Sequence, residues 1–261
     1  MTRLTLVGGG NMGEALLAGL LDAGWASAGE LAVVEAVEAR RKELVDRFPG
    51  VAVSGTVPDT EGAVVAVKPG DVQAACRSVV GAGRVLSVAA GIPLAKLEAW
   101  VGGGVPVVRA MPNTPALVGA GAAAISGGSS ATDDDLAWAE GILAAVGTVV
   151  RVPEPLLDAV TGLSGSGPAY VLLVVEALID AGVLVGLPRA TSEALATQTL
   201  LGTAQLLAGS AEGPEALRAA VTSPGGTTAA GLRVLEDRAV RAAFLEAVAA
   251  ATERSKELGR A

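Results

Sequence analysis

Apolar residues come in short β-type runs over the first half of the chain and at helical spacing over the rest. Residues 4–7 form the first run. Residues 14–21 follow with leucine and alanine at helical spacing, and Gly24 ends them. Further runs at 31–34, 51–53, 63–67, 84–88 and 105–109 predict strands. A helix is expected near 40–48, and Asp71 is placed to cap another. The run Ala63-Val64-Val65-Ala66-Val67 is apolar without alternation, as expected of a parallel strand covered on both faces. Residues 120–126 and 148–152 read as closing strands around a helix at 133–145. Strand signals then cease, and helices are predicted at 155–163, 168–185, 188–208, 215–221, 228–236 and 238–258. The pattern predicts an α/β domain with a mostly parallel sheet over 1–152 and an all-α domain over 153–261.

The longest apolar run, 169–187, carries Glu176 and Asp180 near its centre. Each acid would cost roughly 2.5–3.5 kcal/mol in the middle of a bilayer, so a buried helix is expected rather than a span. It is apolar almost all round and needs cover on every side, which a partner subunit would supply. Glu176 and Asp180 lie one turn apart, facing either a domain cleft or arginines in an interface. Ser166 or Gly167 is expected to cap this helix, with Pro168 in its first turn.

The net charge is −8, which argues against a nucleic-acid footprint or an anionic membrane surface. Cys76 is the single cysteine and there is no histidine, so disulfides, histidine triads and a histidine- or thiolate-ligated metal site are excluded. A reducing cytoplasm fits this cysteine usage, and residues 4–7 are too short for a signal-peptide core. Any chemistry falls to carboxylates, hydroxyls, backbone amides or a bound cofactor.

Gly8, Gly10 and Gly13 satisfy G-x-G-x-x-G between a strand and a helix, the context in which this motif binds a dinucleotide. The N-terminal domain is therefore Rossmann-like. Glu35 ends the second strand, 22 residues beyond Gly13, where a carboxylate accepts the ribose hydroxyls and repels a 2′-phosphate. That points to NAD, although Arg40 and Arg41 open the next helix and would suit a 2′-phosphate. The loops after 63–67, 84–88 and 105–109 follow strand C-termini, where open α/β sheets bind ligands. Lys68 in the first of them is a ligand contact or a surface charge. Thr222-Ser223-Pro224-Gly225-Gly226-Thr227-Thr228 offers hydroxyls and unpaired N–H groups at a helix start, suited to a small carboxylate or phosphate. The same stretch also reads as an ordinary capped turn between helices.

Taken together, GGGNMG at 8–13, AVKP at 66–69, AAG at 89–91, RAMPNTP at 109–115, DAVTGLSGSGPAY at 158–170 and VTSPGGTTAAGLRVLE at 221–236 resemble pyrroline-5-carboxylate reductase over essentially the whole chain. The resemblance implies reduction of L-1-pyrroline-5-carboxylate to L-proline by NADPH or NADH. It implies cofactor contacts at Val7, Gly8, Gly9, Gly10, Asn11 and Met12, at Ala66, Val67, Lys68 and Pro69, and at Val88, Ala89 and Ala90. It assigns the substrate carboxylate to the backbone of Gly226, Thr227 and Thr228 with Ser223. Thr228 is the catalytic contact to the ring nitrogen, and Glu154 a substrate-side acid. A homodimer through the helical domain is implied, with a larger ring such as a decamer as its further assembly. Family members often carry Ser, Asn or Arg after the second strand and prefer NADPH. This chain has Glu35-Ala36-Val37 there, so NADH is expected to serve at least as well.

The absence of histidine fits this chemistry. A cyclic imine enters already protonated, so the chain has only to hold its carbon about 3–3.5 Å from the nicotinamide. Two alternatives stand beside it. A β-hydroxyacid or related imine reductase is one, although hydroxyacid dehydrogenases of this architecture rely on a lysine in the helical domain, and only Lys256 is present there. The other is a non-catalytic dinucleotide sensor, which would need no substrate loop.

Overall fold

The computed structural model describes residues 2–260. The chain falls into two compact units. One runs to Ser166 and takes in the chain from Ala249 onward; the other is Gly167–Val248.

The first unit is built on an eight-stranded sheet: β1 Thr2–Val7, β2 Leu31–Val34, β3 Ala52–Ser54, β4 Thr60–Val65, β5 Val85–Ser87, β6 Val107–Met111, β7 Gly121–Gly127 and β8 Gly147–Arg151. The spatial order is β3-β2-β1-β4-β5-β6-β7-β8. Neighbours are parallel throughout except β6 and β7. The strand order turns back between β1 and β4, so a crevice is expected above β1. In register, Val7 lies level with Val34 on one side and Val65 on the other, so three strand ends share one edge.

Strict alternation sorts the apolar side chains. Leu4, Leu6, Val64, Leu86 and Val108 join one core with Leu16, Leu17 and Leu20 of α1 (Asn11–Asp22), Leu44 of α2 (Glu38–Arg47), and Ile142 and Leu143 of α5 (Asp133–Ala144). Val7, Ala63, Val65, Val85 and Val107 join the other with Cys76 of α3 (Val72–Ser78) and Leu97 of α4 (Leu94–Val101). The unbroken apolar run predicted for β4 is thus covered on both faces. Helix α4 is absent from the elements read above. It is eight residues long and starts after Pro93 with no local side-chain cap.

Burial inside the α3 face pushes the Cys76 thiol up to about 11. At pH 8 its thiolate fraction is then on the order of one in a thousand. A thiol reagent is expected to leave the native chain unlabelled and to modify Cys76 fully in denaturant, as read by mass spectrometry.

The segment after β8 differs from the predicted helix at 155–163. A 3₁₀ turn at Glu154–Leu156 leads into α6 (Leu157–Val160), and Thr161–Gly165 forms a π-helical turn. Its wider spacing absorbs the glycines without leaving helical geometry. Asn113 Nδ2 donates to Ser164 O (3.0 Å), and Asn113 Oδ1 accepts from the Ala122 N–H (2.8 Å), which ties this turn to β7.

In the second unit, α7 (Gly167–Leu184) and α8 (Arg189–Gly209) form a hairpin. Ser192 Oγ donates to Ile179 O (2.7 Å), and a Cβ on Gly182 would fall 2.0 Å from that hydroxyl, so glycine permits the close approach. Asp180 pairs with Arg189 of the same chain at 3.2 Å. An arginine partner for Asp180 is thus supplied within the chain. Helices α9 (Pro214–Ala220), α10 (Thr227–Asp237) and α11 (Val240–Arg260) complete the chain.

The expected burial of the 169–187 helix does not hold within the chain. No residue of α7 is buried, and Leu173 is 66% exposed. The stretch Glu154–Leu184 is long and apolar enough to cross a membrane, by length and composition alone.

Candidate active site

The glycine-rich turn behaves as its spacing requires. Gly8 has φ +108°, and a Cβ there would meet Ala66 O at 2.5 Å. A Cβ on Gly13 would meet Gly8 O at 2.0 Å, so only glycine lets α1 pack on the turn. Around Gly10, by contrast, a Cβ would have nothing within 4 Å. Gly10 occupies the N-cap of α1 with no side chain capping it. The helix start is open, with free space above Gly10, which fits a pyrophosphate.

This cradle belongs to a cleft of about 610 Å³. Val7, Gly8, Gly10, Glu35, Ala66, Val67 and Lys68 all line it, joined by Val37, Gly55 and Asp71, which the sequence reading did not assign. Gly9 is not among the lining residues, and its backbone is engaged by neighbouring side chains. Its N–H donates to Glu35 Oε2 (2.9 Å), and its carbonyl accepts from Arg40 Nε (2.9 Å). Asn11 and Met12 open α1, where Met12 packs on the larger core.

The remaining predicted cofactor positions separate. Val88 and Ala89 are buried. Pro69 and Ala90 line a second cavity of about 370 Å³, with Gly91, Thr161, Ser166 and Ser255 among its walls. Ser255 Oγ donates to Asp158 Oδ1 at 2.6 Å, which fixes the end of α11 against α6. Nothing in the sequence signals that contact, because 97 positions separate the two residues.

Glu154, expected as a substrate-side acid, is engaged within the chain. Its Oε1 accepts from the Leu94 N–H (2.6 Å) and from Arg109 Nη1 (2.9 Å). It therefore caps α4 from 60 residues away and neutralises a buried arginine.

In the second unit, Gly225 has φ +70° and Gly226 is the N-cap of α10. No side chain caps that helix, so neither Ser223 nor a threonine serves as the ordinary cap of the alternative reading. A Cβ on Gly226 would fall 2.4 Å from Ser223 Oγ, which places the serine hydroxyl over the helix start. Thr227 and Thr228 form its first turn, with amides directed outward as at any helix N-terminus.

A pyrroline-5-carboxylate reductase from Synechocystis is 46% identical to this chain, covering 99% of it and 98% of the relative. The chain belongs to the pyrroline-5-carboxylate reductase family. A relative from Mycobacterium tuberculosis is 44% identical, over 99% of this chain and 97% of its own. The family model for pyrroline-5-carboxylate reductase dimerisation matches residues 154–258, and a model described as NADP oxidoreductase, coenzyme F420-dependent, matches residues 3–91. Among solved structures, the family's reductase from Coxiella burnetii superposes with a TM-score of 0.92 at 34% identity, covering 98% of each chain. The Plasmodium falciparum reductase with NADP bound superposes at 0.83 with 30% identity, covering 99% of this chain and 98% of that one. The fold class read from the pattern is that of these relatives.

Proposed function

We propose that this chain reduces L-1-pyrroline-5-carboxylate to L-proline with NADPH or NADH, the last step of proline biosynthesis. The observation that carries the reading is likeness to named reductases along the whole chain, at up to 46% identity. The cofactor binds in the cleft above β1, its pyrophosphate at Gly10 and the start of α1, with Ala66, Val67, Lys68, Pro69, Val88, Ala89 and Ala90 along its nicotinamide half. NADPH or NADH supplies the hydride. The chain's own task is to bind, orient and exclude water. The amides of Gly226, Thr227 and Thr228, helped by Ser223, hold the substrate carboxylate, and the Thr228 hydroxyl orients the ring nitrogen. Glu154, expected on the substrate side, also supports α4 and Arg109.

The helical domain, 153–261, binds substrate and forms a homodimer, which assembles into a larger ring such as a decamer. The enzyme acts in the cytoplasm, on a small molecule, with no nucleic acid or membrane as partner. A non-catalytic sensor is the weaker reading, because it has no use for an uncapped α10 within the SPGGTT loop.

Oxidation of NADH or NADPH by the purified protein on addition of pyrroline-5-carboxylate tests the reading, and cofactor binding without turnover would favour the sensor. Thr228→Ala is expected to lower turnover by about 10- to 100-fold, since one orienting group is removed. Thr228 is exposed in the first turn of α10, so thermal unfolding followed by circular dichroism is expected to be unchanged. Wild-type kinetics in the variant would remove Thr228 from the site.

A further inference from the structure

Resting on the nucleotide cleft of the reading above, we propose that Glu35 makes this chain an NADH-preferring member of its family. The carboxylate is locked in place. Its Oε2 accepts from the Gly9 N–H at 2.9 Å and its Oε1 from the Val37 N–H at 2.9 Å. A carboxylate offers about four lone-pair sites, so both oxygens keep capacity for ribose hydroxyls. Held at both ends, it cannot swing away to admit a second anion.

Both arginines that would suit a 2′-phosphate already make bonds within the chain. Arg40 spends its guanidinium on Gly9 O, Glu43 and Glu14. Glu14 is shared with Arg47, so Arg40 is held within an ion-pair network. Arg41 Nη1 donates to Glu35 O (2.7 Å) and Ala36 O (2.8 Å), and the side chain lines a different surface hollow with Glu38, Lys42 and Asp46. The charged groups lining the cleft are Glu35, Lys68 and Asp71. Lys68 follows β4 while Glu35 follows β2, on opposite sides of β1. Two strand spacings, about 10 Å, separate those positions, so Lys68 is poorly placed to offset Glu35 at the 2′ oxygen. A 2′-phosphate would sit beside the Glu35 carboxylate in a partly buried crevice, where water and salt screen their repulsion only in part.

The test is equilibrium binding of NADH and of NADPH, read from the fluorescence of the bound nucleotide without substrate. The native chain is expected to bind NADH at least about tenfold more tightly than NADPH, the size of one modest charge interaction. Raising salt from about 0.02 M to about 0.5 M is expected to narrow that ratio, because it screens the repulsion. Glu35→Gln removes the charge and keeps an acceptor for one of the two loop amides while turning its NH2 toward the other, and is expected to move the ratio toward NADPH by about tenfold. Arg41→Ala is expected to leave the ratio within about twofold. NADPH binding as tightly as NADH, or a ratio unmoved by Glu35→Gln, overturns the proposal while leaving the nucleotide cleft standing. A selective loss of NADPH in Arg41→Ala also overturns it. Binding of neither nucleotide overturns the proposal and the cleft together. Absence of turnover with NADH binding intact would count against the reductase reading alone.

Discussion

Gly10→Ala is expected to keep the stability of the parent chain and to lose dinucleotide affinity by about a hundredfold, because the new methyl enters the space a pyrophosphate needs. Its φ of −72° suits alanine and nothing lies within 4 Å of the new Cβ, so the change in unfolding free energy is expected to stay within about 1 kcal/mol. Gly13→Ala is expected to behave differently. Its Cβ would fall 2.0 Å from Gly8 O, and the turn at Gly8 is itself close to β4's end, where an added Cβ on Gly8 would meet Ala66 O at 2.5 Å. Overpacking of this kind costs about 1–3 kcal/mol, and the displaced turn would no longer present its amides. Nucleotide titration and denaturant unfolding of the two variants separate a ligand clash from a packing clash. Unchanged affinity in Gly10→Ala would dismiss the cleft as the nucleotide site.

Leu173→Glu is expected to convert the oligomer into monomers, as read by sedimentation velocity or light scattering. Leu173 lies on α7, where Leu172 and Leu184 are also exposed within the single chain, and the matched dimerisation model spans this region. A leucine buried in an interface contributes about 1.5–3 kcal/mol, and a two-fold interface counts it twice. The variant is therefore expected to lose dimer affinity by about a thousandfold or more. An assembly unchanged by the charge would place the interface on other helices. The same experiment bears on the membrane alternative raised by the hydropathy of 154–184, since a spanning helix would partition into detergent rather than pair in water.

The local readings succeeded where the deciding physics is local. The unbroken apolar run at 63–67 marks a parallel strand, and β4 is buried on both faces, with Val64 in one core and Ala63 and Val65 in the other. The roles of Gly8, Gly10 and Gly13 are legible because turn, approach and packing each demand a missing Cβ at a fixed offset. The predicted helix at 228–236 is α10 with one residue more at each end. Less legible were the bonds a residue makes to a distant neighbour. Glu154 looks like a free acid until Leu94 and Arg109 are found beside it. The bonds of Arg40 and Arg41 to Gly9 O, Glu14 and the carbonyls of Glu35 and Ala36 are equally invisible in the sequence.

Period and punctuation in the sequence therefore carried most of the element order, the mostly parallel sheet, the glycine-rich turn and the helical second half. Backbone sterics and the burial of apolar faces act between near neighbours, so the string carries them. Tertiary structure alone decided which charges are spent and which remain open. It opened the start of α10, turned the 161–165 segment into a π-helical turn, and left α7 without cover inside its own chain. Those outcomes depend on which strands and helices come level with one another. That registry is a property of the packed chain, and no residue type announces it.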